Sequence, residues 1–380
     1  MQFVADSRAL EQACRALAEH RVFYLDTEFD SLREGTSLCL IQASAGGEIF
    51  LVDALSLSDL SPLGAVLGQP EATWVLHAGQ QDVPLLRDRL HVEPPRVFDT
   101  QIAWSLVSVE YSTSLAYLKY RLLGLRGEKA HQADDWRRRP LPQAQLAYAA
   151  DDVAHLPAIY AELVQRCARS GRLTAAFEAS SEMLRPAVEP PQPLRLEAFR
   201  NAWQLEPEGQ AVLRFLIDWY NRLEEEEREI APDAKGLFSV ASRRPRSFEE
   251  LSSLRAVPRR AANRFGRALI AGIQQALARA NASDFPEIAP PPYATAAEIL
   301  AAGWLEAIRA EVCAEHRMAP ELVLPSRVMK KLRDGAVAAG NLTGALDALT
   351  GFRRELLLEA LRAKMGGYGS LPAPTEPESS

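Results

Sequence analysis

The chain has 380 residues, 47% of them hydrophobic and 24% charged, the make-up of an ordinary water-soluble globular protein. That length exceeds one usual core, so two or three domains are expected. Forty-three lysines and arginines against 50 acids give a net charge of −7, which excludes a uniformly basic nucleic-acid coat. Any phosphate backbone must then be held by a local basic patch or by bound metal.

Cys14, Cys39, Cys167 and Cys313 are scattered and form no C-x-x-C pair, so neither a disulfide framework nor a zinc site is expected, and a reducing cytoplasm fits. Asp6, Arg8, Glu11, Arg15 and Glu19 interrupt any signal-peptide apolar region. No stretch approaches the roughly 18 apolar residues of a membrane span.

In chain order, Ser7–Glu19 reads as a helix with Leu10, Ala13, Cys14 and Leu17 on one face. Val22–Phe29 is a strand. Leu38–Ala43 and Ile49–Val52 are two more, joined through Gly46-Gly47 in a hairpin, so an antiparallel meander is expected. A helix around Leu57–Leu67 leads to a strand at Trp74–His77, a helix over Gln81–Leu90 and a short strand, Val97-Phe98, that ends at Asp99. Thr100–Ser108, Leu115–Leu122 and Pro142–Arg169 are predicted helices. The sum is a mixed sheet with helices around it.

Four prolines in Pro186–Pro193 mark a linker, and everything beyond it reads as helical. Ile230-Ala-Pro recurs as Met318-Ala-Pro at an offset of 88, which also places Val240 on Val328 and a helix Leu216–Glu229 on Trp304–Arg317. Two tandem helical modules follow, residues 197–285 and 293–367. Ahead of them stand a first domain, 1–186, and the linker, 187–196; a disordered tail, 368–380, closes the chain.

Asp26 and Glu28 sit one residue apart on the first long strand, so both carboxylates project from one face. Two buried carboxylates side by side are costly unless a cation neutralises them, and a divalent metal is the natural partner. The plainer alternative is a capping acid beside a solvated one. Asp82 falls where a strand gives way to a helix, a position that also suits a first-turn acid. Tyr148 and Asp152, at i and i+4, share a helix face, though singly they read as a core aromatic and a solvated acid.

Taken together, D-x-E on a first strand, an Asp after a later strand and Y-x-x-x-D on a last helix resemble the DEDD superfamily of 3′–5′ exonucleases, in its tyrosine (DEDDy) branch. The words L-D-T-E-F, L-C-L-I-Q, H-A-G-x-x-D, F-D-T-Q and Y-A-A-x-D-V are similar to those of the ribonuclease D family, and the two repeats resemble HRDC domains. The resemblance covers essentially residues 1–367. It implies a ribonuclease H-like mixed-sheet α/β exonuclease domain followed by two all-α HRDC-like domains. It implies two divalent ions, Mg²⁺ or Mn²⁺, with Asp26 bridging them, Glu28 and Asp152 completing the water-activating ion, Asp82 serving the other and Tyr148 orienting the attacking water. An all-carboxylate ligand set suits such hard ions.

The expected substrate is RNA with a free 3′ end, tRNA precursors among them, cut to 5′-monophosphates. No obligate protein partner is indicated. A DNA 3′ exonuclease and a binding-only scaffold are the competing readings.

Candidate substrate contacts are Gln42, His77, Lys129, Gln132 and Trp136. The last three lie in a loop that reads K-x-x-Q-x-S-D-W in the family but carries Asp134 here in place of serine. Gln42 reads equally as a buried amide, and His77 as a structural histidine. Asp99 is expected to cap the helix after it. Between 243 and 267 eight arginines, among them Arg243, Arg244, Arg259, Arg260 and Arg264, face only Glu249 and Glu250. That excess of about +6 is either a phosphate-tracking patch or a set of solvated helix faces.

Overall fold

The structure is a computed structural model that describes residues 1–30, 36–126, 135–184, 193–280, 288 and 293–372. Most of the expected linker, residues 186–192, lies outside these. The chain divides into two compact units, Met1–Ala187 with Thr295–Ser380, and Val188–Ala294.

The first unit opens with β1 (Gln2–Val4) and α1 (Ser7–Ala18), which buries Leu10, Ala13, Cys14 and Leu17 and is capped by the Asp6 carboxylate on Ala9 N–H. The strands β2 (Val22–Asp30), β3 (Ser37–Ala45) and β4 (Glu48–Asp53) form the antiparallel meander. Gly46 and Gly47 both take positive φ (58° and 87°), as a two-residue primed hairpin turn requires. Next come α2 (Ser61–Leu67), β5 (Thr73–Leu76), α3 (Asp82–Leu90), β6 (Arg96–Asp99), α4 (Thr100–Val107) and α5 (Leu115–Leu123). Helices α6 (Gln143–Ala154), α7 (Leu156–Arg169) and α8 (Leu173–Leu184) follow.

The six strands run β1-β4-β3-β2-β5-β6, with β1 parallel to β4 and β5 parallel to both β2 and β6, so the sheet is mixed and β2 is central. Alternation along β2 sends Phe23 and Leu25 into a core with α1, α2 and α3, including Trp74 and Leu86. Tyr24, Asp26 and Glu28 point to the other face, across which α6 and α7 run.

Several boundaries differ from expectation. The helix expected at Leu57 starts at Ser61, where Pro62 fits a first turn that needs no N–H from it. Pro142–Arg169 is two helices, because Pro157 has no N–H to donate to Val153 and the chain breaks at His155. At three residues, β1 is too short to show a sequence pattern.

The second helical stretch consists of α14 (Ala296–His316), α15 (Pro320–Val323), α16 (Ser326–Ala339) and α17 (Gly351–Met365). One continuous core joins Val75, Phe98, Ile102 and Leu163 of the sheet domain to Leu305, Leu322, Phe352 and Leu361 of this stretch. Ala319 N–H donates to Ser105 O at 2.7 Å. Arg353, 6% exposed, donates to the carbonyls of Val323 (3.0 Å) and Leu322 (3.1 Å) and to Glu182 of α8 (2.6 Å). Tyr368 stacks on Trp304 and Leu371 is buried, so packed chain continues past the expected start of the tail.

The other unit contains α9 (Pro207–Asn221), α10 (Glu225–Ile230), α11 (Ala234–Arg243), α12 (Phe248–Ser253) and α13 (Arg259–Ala280) around Leu213, Leu216, Leu237, Val240 and Leu269. Its helix expected over Leu216–Glu229 is broken at Arg222–Glu224, and the acid run begins a new helix, where the helix dipole favours negative charge. In the second copy the matching helix, α14, is unbroken.

Arg353→Met removes a cation from two buried carbonyls and a half-shielded carboxylate, and should cost about 2–3 kcal/mol. A lowered midpoint for the nuclease signal in chemical denaturation would show it. An unchanged midpoint would mean the second helical stretch is not held by this contact.

Candidate active site

Burial and alternation set the acids in place. Asp26, Glu28 and Asp152 each offer a carboxylate oxygen, all within 4.8 Å of one another. Asp82, the first residue of α3, lies outside that triplet, and its Oδ1 accepts from the Thr27 hydroxyl at 2.5 Å. All four acids and Tyr148 nevertheless line one cavity of about 580 Å³. The Tyr148 hydroxyl bonds Asp152, its neighbour one turn along α6.

Burial pushes the Asp26 carboxyl well above the usual range, and the Asp82, Asp152 and Glu28 carboxylates push it further. Burial also raises Asp82, against the Thr27 hydrogen bond. Asp152 is lifted to about 6 by burial, with the Lys119 charge and the Tyr148 hydrogen bond opposing. Burial, then the nearby Asp152 and Glu28 charges, raise the Tyr148 phenol, so it stays protonated. Crowded carboxylates without a nitrogen or sulfur donor fit a hard divalent cation.

Asp151 and Asp152 point in different directions. Asp151 turns to Lys119, whose Nζ donates to its Oδ2 (2.7 Å) and its carbonyl (2.9 Å), and to His155. Asp152 faces the cavity. Lys119 is 5% exposed, and its charge is the one that opposes proton uptake at Asp152. Sequence reasoning missed it, although its place on the apolar stripe Leu115–Leu118–Leu122 was a signal. Thr27 and the cavity residues Gln81, Gln101, Ser112, Ser114 and Leu115 were also missed; nothing in their local pattern marks them.

Asp99 caps α4 through Gln101 N–H (2.8 Å) and Ile102 N–H (3.2 Å), and also binds the N–H groups of Ala78 and Gly79. His77 lines the cavity, but Nδ1 meets the Thr100 hydroxyl (2.9 Å) and Nε2 meets Thr113 O (3.0 Å). Burial lowers its pKa, and its ring nitrogens serve the fold.

Two expected substrate contacts are corrected. Gln42 stands opposite Asp26 in the β2–β3 register, is fully buried and does not line the cavity; its amide atoms have no hydrogen-bond partner among the described residues. The covering helix α6 comes from a hundred residues away, so the strand alone could not show this. Trp136, 2% exposed, packs beside the Tyr148 ring with centroids 6.2 Å apart and supports it from behind. Its segment is clamped by Arg139, which donates to Asp53 (2.7 and 2.5 Å), Trp136 O (2.8 Å) and Cys39 O (3.1 Å). Lys129 and Gln132 lie outside the described residues.

In the separate helical unit, Arg244 pairs with Glu206 and Glu208, and Arg264 with Glu227. Arg243, Arg259 and Arg260 are exposed and make no salt bridge among the described residues.

Residues 1–168 match a family model described as a 3′–5′ exonuclease, and fold and site together define an enzyme of that class. The chain is 30% identical over 370 residues to the ribonuclease D of Pseudomonas paraeruginosa, an overlap of 95% of this chain and 96% of that one. With the ribonuclease D of Escherichia coli K12 it shares 30% over 384 residues, 97% and 99% of the two chains. The crystal structure of Escherichia coli RNase D, described as an exoribonuclease involved in structured RNA processing, matches with a TM-score of 0.73 at 29% identity over 97% of this chain and 99% of that one. This chain belongs to the ribonuclease D family.

The raised Asp152 pKa has a consequence for the metal-free protein. In the folded state Asp152 keeps a proton that the unfolded chain releases near 3.8, so stability is lost as pH rises from there through about 6. Asp152→Asn should therefore match wild type near pH 4 and exceed it above pH 7, by roughly 3 kcal/mol. Thermal melts in chelator across that range check it; a constant difference would contradict it.

Proposed function

We propose that this protein is a 3′–5′ exoribonuclease that removes 5′-monophosphates from RNA with a free 3′ end, in trimming tRNA precursors or other structured RNA. The reading is carried by the convergence of Asp26, Glu28, Asp152, Asp82 and Tyr148 on one cavity. Asp26, Glu28 and Asp152 would hold one divalent cation, and Asp82, on the same cavity, would serve a second. When bound, Mg²⁺ or Mn²⁺ at such a site supplies Lewis acidity and charge neutralisation to phosphodiester cleavage. Tyr148, held protonated and anchored by Asp152, orients the attacking water and does not take its proton. Thr27 fixes the Asp82 carboxylate, and Lys119 fixes the turn of α6 that presents Asp152.

The relatives named ribonuclease D and the structured-RNA role of the Escherichia coli enzyme support RNA as substrate. All four cysteines are buried and free, which supports a reducing, cytoplasmic setting. The exposed Arg243, Arg259 and Arg260 supply a phosphate-tracking surface on the first helical module, with Arg244 and Arg264 partly neutralised by their acids.

With 5′-labelled RNA and Mg²⁺ or Mn²⁺, a ladder shortening from the 3′ end is expected. Asp26→Asn and Asp152→Asn should each slow it about a thousandfold, equivalent to about 4 kcal/mol of transition-state stabilisation. Variants as fast as wild type would sink the assignment, and matched DNA cut as well as RNA would overturn the choice of substrate.

Replacing Arg259 and Arg260 together by alanine should reduce the slope of log affinity against log salt by about 1–2 for RNA binding. An unchanged slope would return these arginines to the role of solvated helix faces.

A further inference from the structure

A second cavity, of about 620 Å³, opens beside the one that holds the acids, and Ala78, Gln81, Gln101 and Ser112 line both. The wall between them is rigidly built. Ala78 and Ser112 both take left-handed backbone (φ 56° and 54°) without being glycine, a conformation that persists only where surrounding structure imposes it. Asp99 does so for the first, through Ala78 N–H and Gly79 N–H (3.2 and 2.8 Å). For the second, Thr113 O accepts from Gln101 Nε2 (2.9 Å) and His77 Nε2 (3.0 Å), while Glu110 holds the Trp104 indole (2.9 Å) and the Tyr117 hydroxyl (2.5 Å).

The lining identifies the ligand chemistry. No lysine or arginine lines this cavity, so it is not built for a phosphate. Its one acid, Asp99, already accepts four backbone N–H groups. What remains available are the exposed carboxamides of Gln80 and Gln81, which have no hydrogen-bond partner among the described residues, and the Tyr111 ring, 42% exposed. Carboxamides offer a donor and an acceptor side by side, as base edges do, and an exposed aromatic face stacks on any base. The ligand that fits is neutral, planar and edged with both donors and acceptors.

We propose that this cavity receives an unpaired nucleobase adjoining the scissile linkage, stacked on Tyr111 and met at its edge by Gln80 and Gln81. The inference rests on the exoribonuclease reading above and gives that site a means of gripping single-stranded 3′ ends.

The test compares two 5′-labelled single-stranded RNAs that differ only in their last three nucleotides, ordinary in one and abasic in the other. Full-length wild type with Mn²⁺ should trim the base-bearing end at least about tenfold faster. In Tyr111→Ala and Gln80→Ala the ratio should fall toward one, and Tyr111→Phe should keep the wild-type ratio. Because the readout is a ratio within one protein, a general loss of folded enzyme does not imitate it. Wild type that trims both ends alike, or two alanine variants that keep the full ratio, would overturn the proposal. Wild type that shortens neither RNA would overturn the exonuclease reading itself, so the two failures are distinct.

Discussion

Four carboxylates share one cavity in which burial opposes the ionisation of Asp26, Asp82 and Asp152 and the other three acids oppose that of Asp26, and most of the surrounding structure can be understood as holding them there. A chain left free to relax would turn these acids to water. Asp26 cannot turn away, because β2 is bonded on both sides, to β3 and to β5, and its Phe23 and Leu25 are locked into the opposite core. The repulsion is borne by the central strand of the sheet. A divalent cation among the acids would relieve that repulsion and offset the burial that holds the Asp26 carboxyl well above its usual range.

The supports are arranged around that constraint. Thr27, between the two acids of β2, holds Asp82; Lys119 of α5 holds the turn of α6 next to Asp152 and brings a buried positive charge close to it. Behind Tyr148 stands Trp136, on a segment that Arg139 fastens to Asp53. The second helical stretch shares the core beneath α4, α7 and α8, so it belongs to the body that carries the site. The intervening helical unit has its own core and its own exposed arginines.

How much of this was legible in the chain depended on the range of the interaction. The pair Asp26 and Glu28 could be read because a strand repeats every two residues, and Tyr148 with Asp152 because a helix repeats every four. Asp99 was readable as a cap for the same local reason. Lys119 was not picked out, because a lysine inside an apolar stripe means something only once Asp151 is known to lie opposite. The strand alone leaves Gln42 either a substrate contact or a buried amide, and the loop alone offers Trp136 as a substrate contact; only the placement of α6 over the sheet shows both to be covered. The breaks at His155 and at Arg222–Glu224 were missed where a strong periodic pattern outvoted one proline or one run of acids.

The central question is whether the four acids form a metal cage. Crystals grown with Mn²⁺ and measured for anomalous scattering test that most directly. Two peaks about 3.5–4 Å apart are expected, both touching Asp26, one completed by Glu28 and Asp152 and the other on the side of Asp82. A cavity without peaks at saturating Mn²⁺, or peaks bound elsewhere with Asp26 uninvolved, would contradict it.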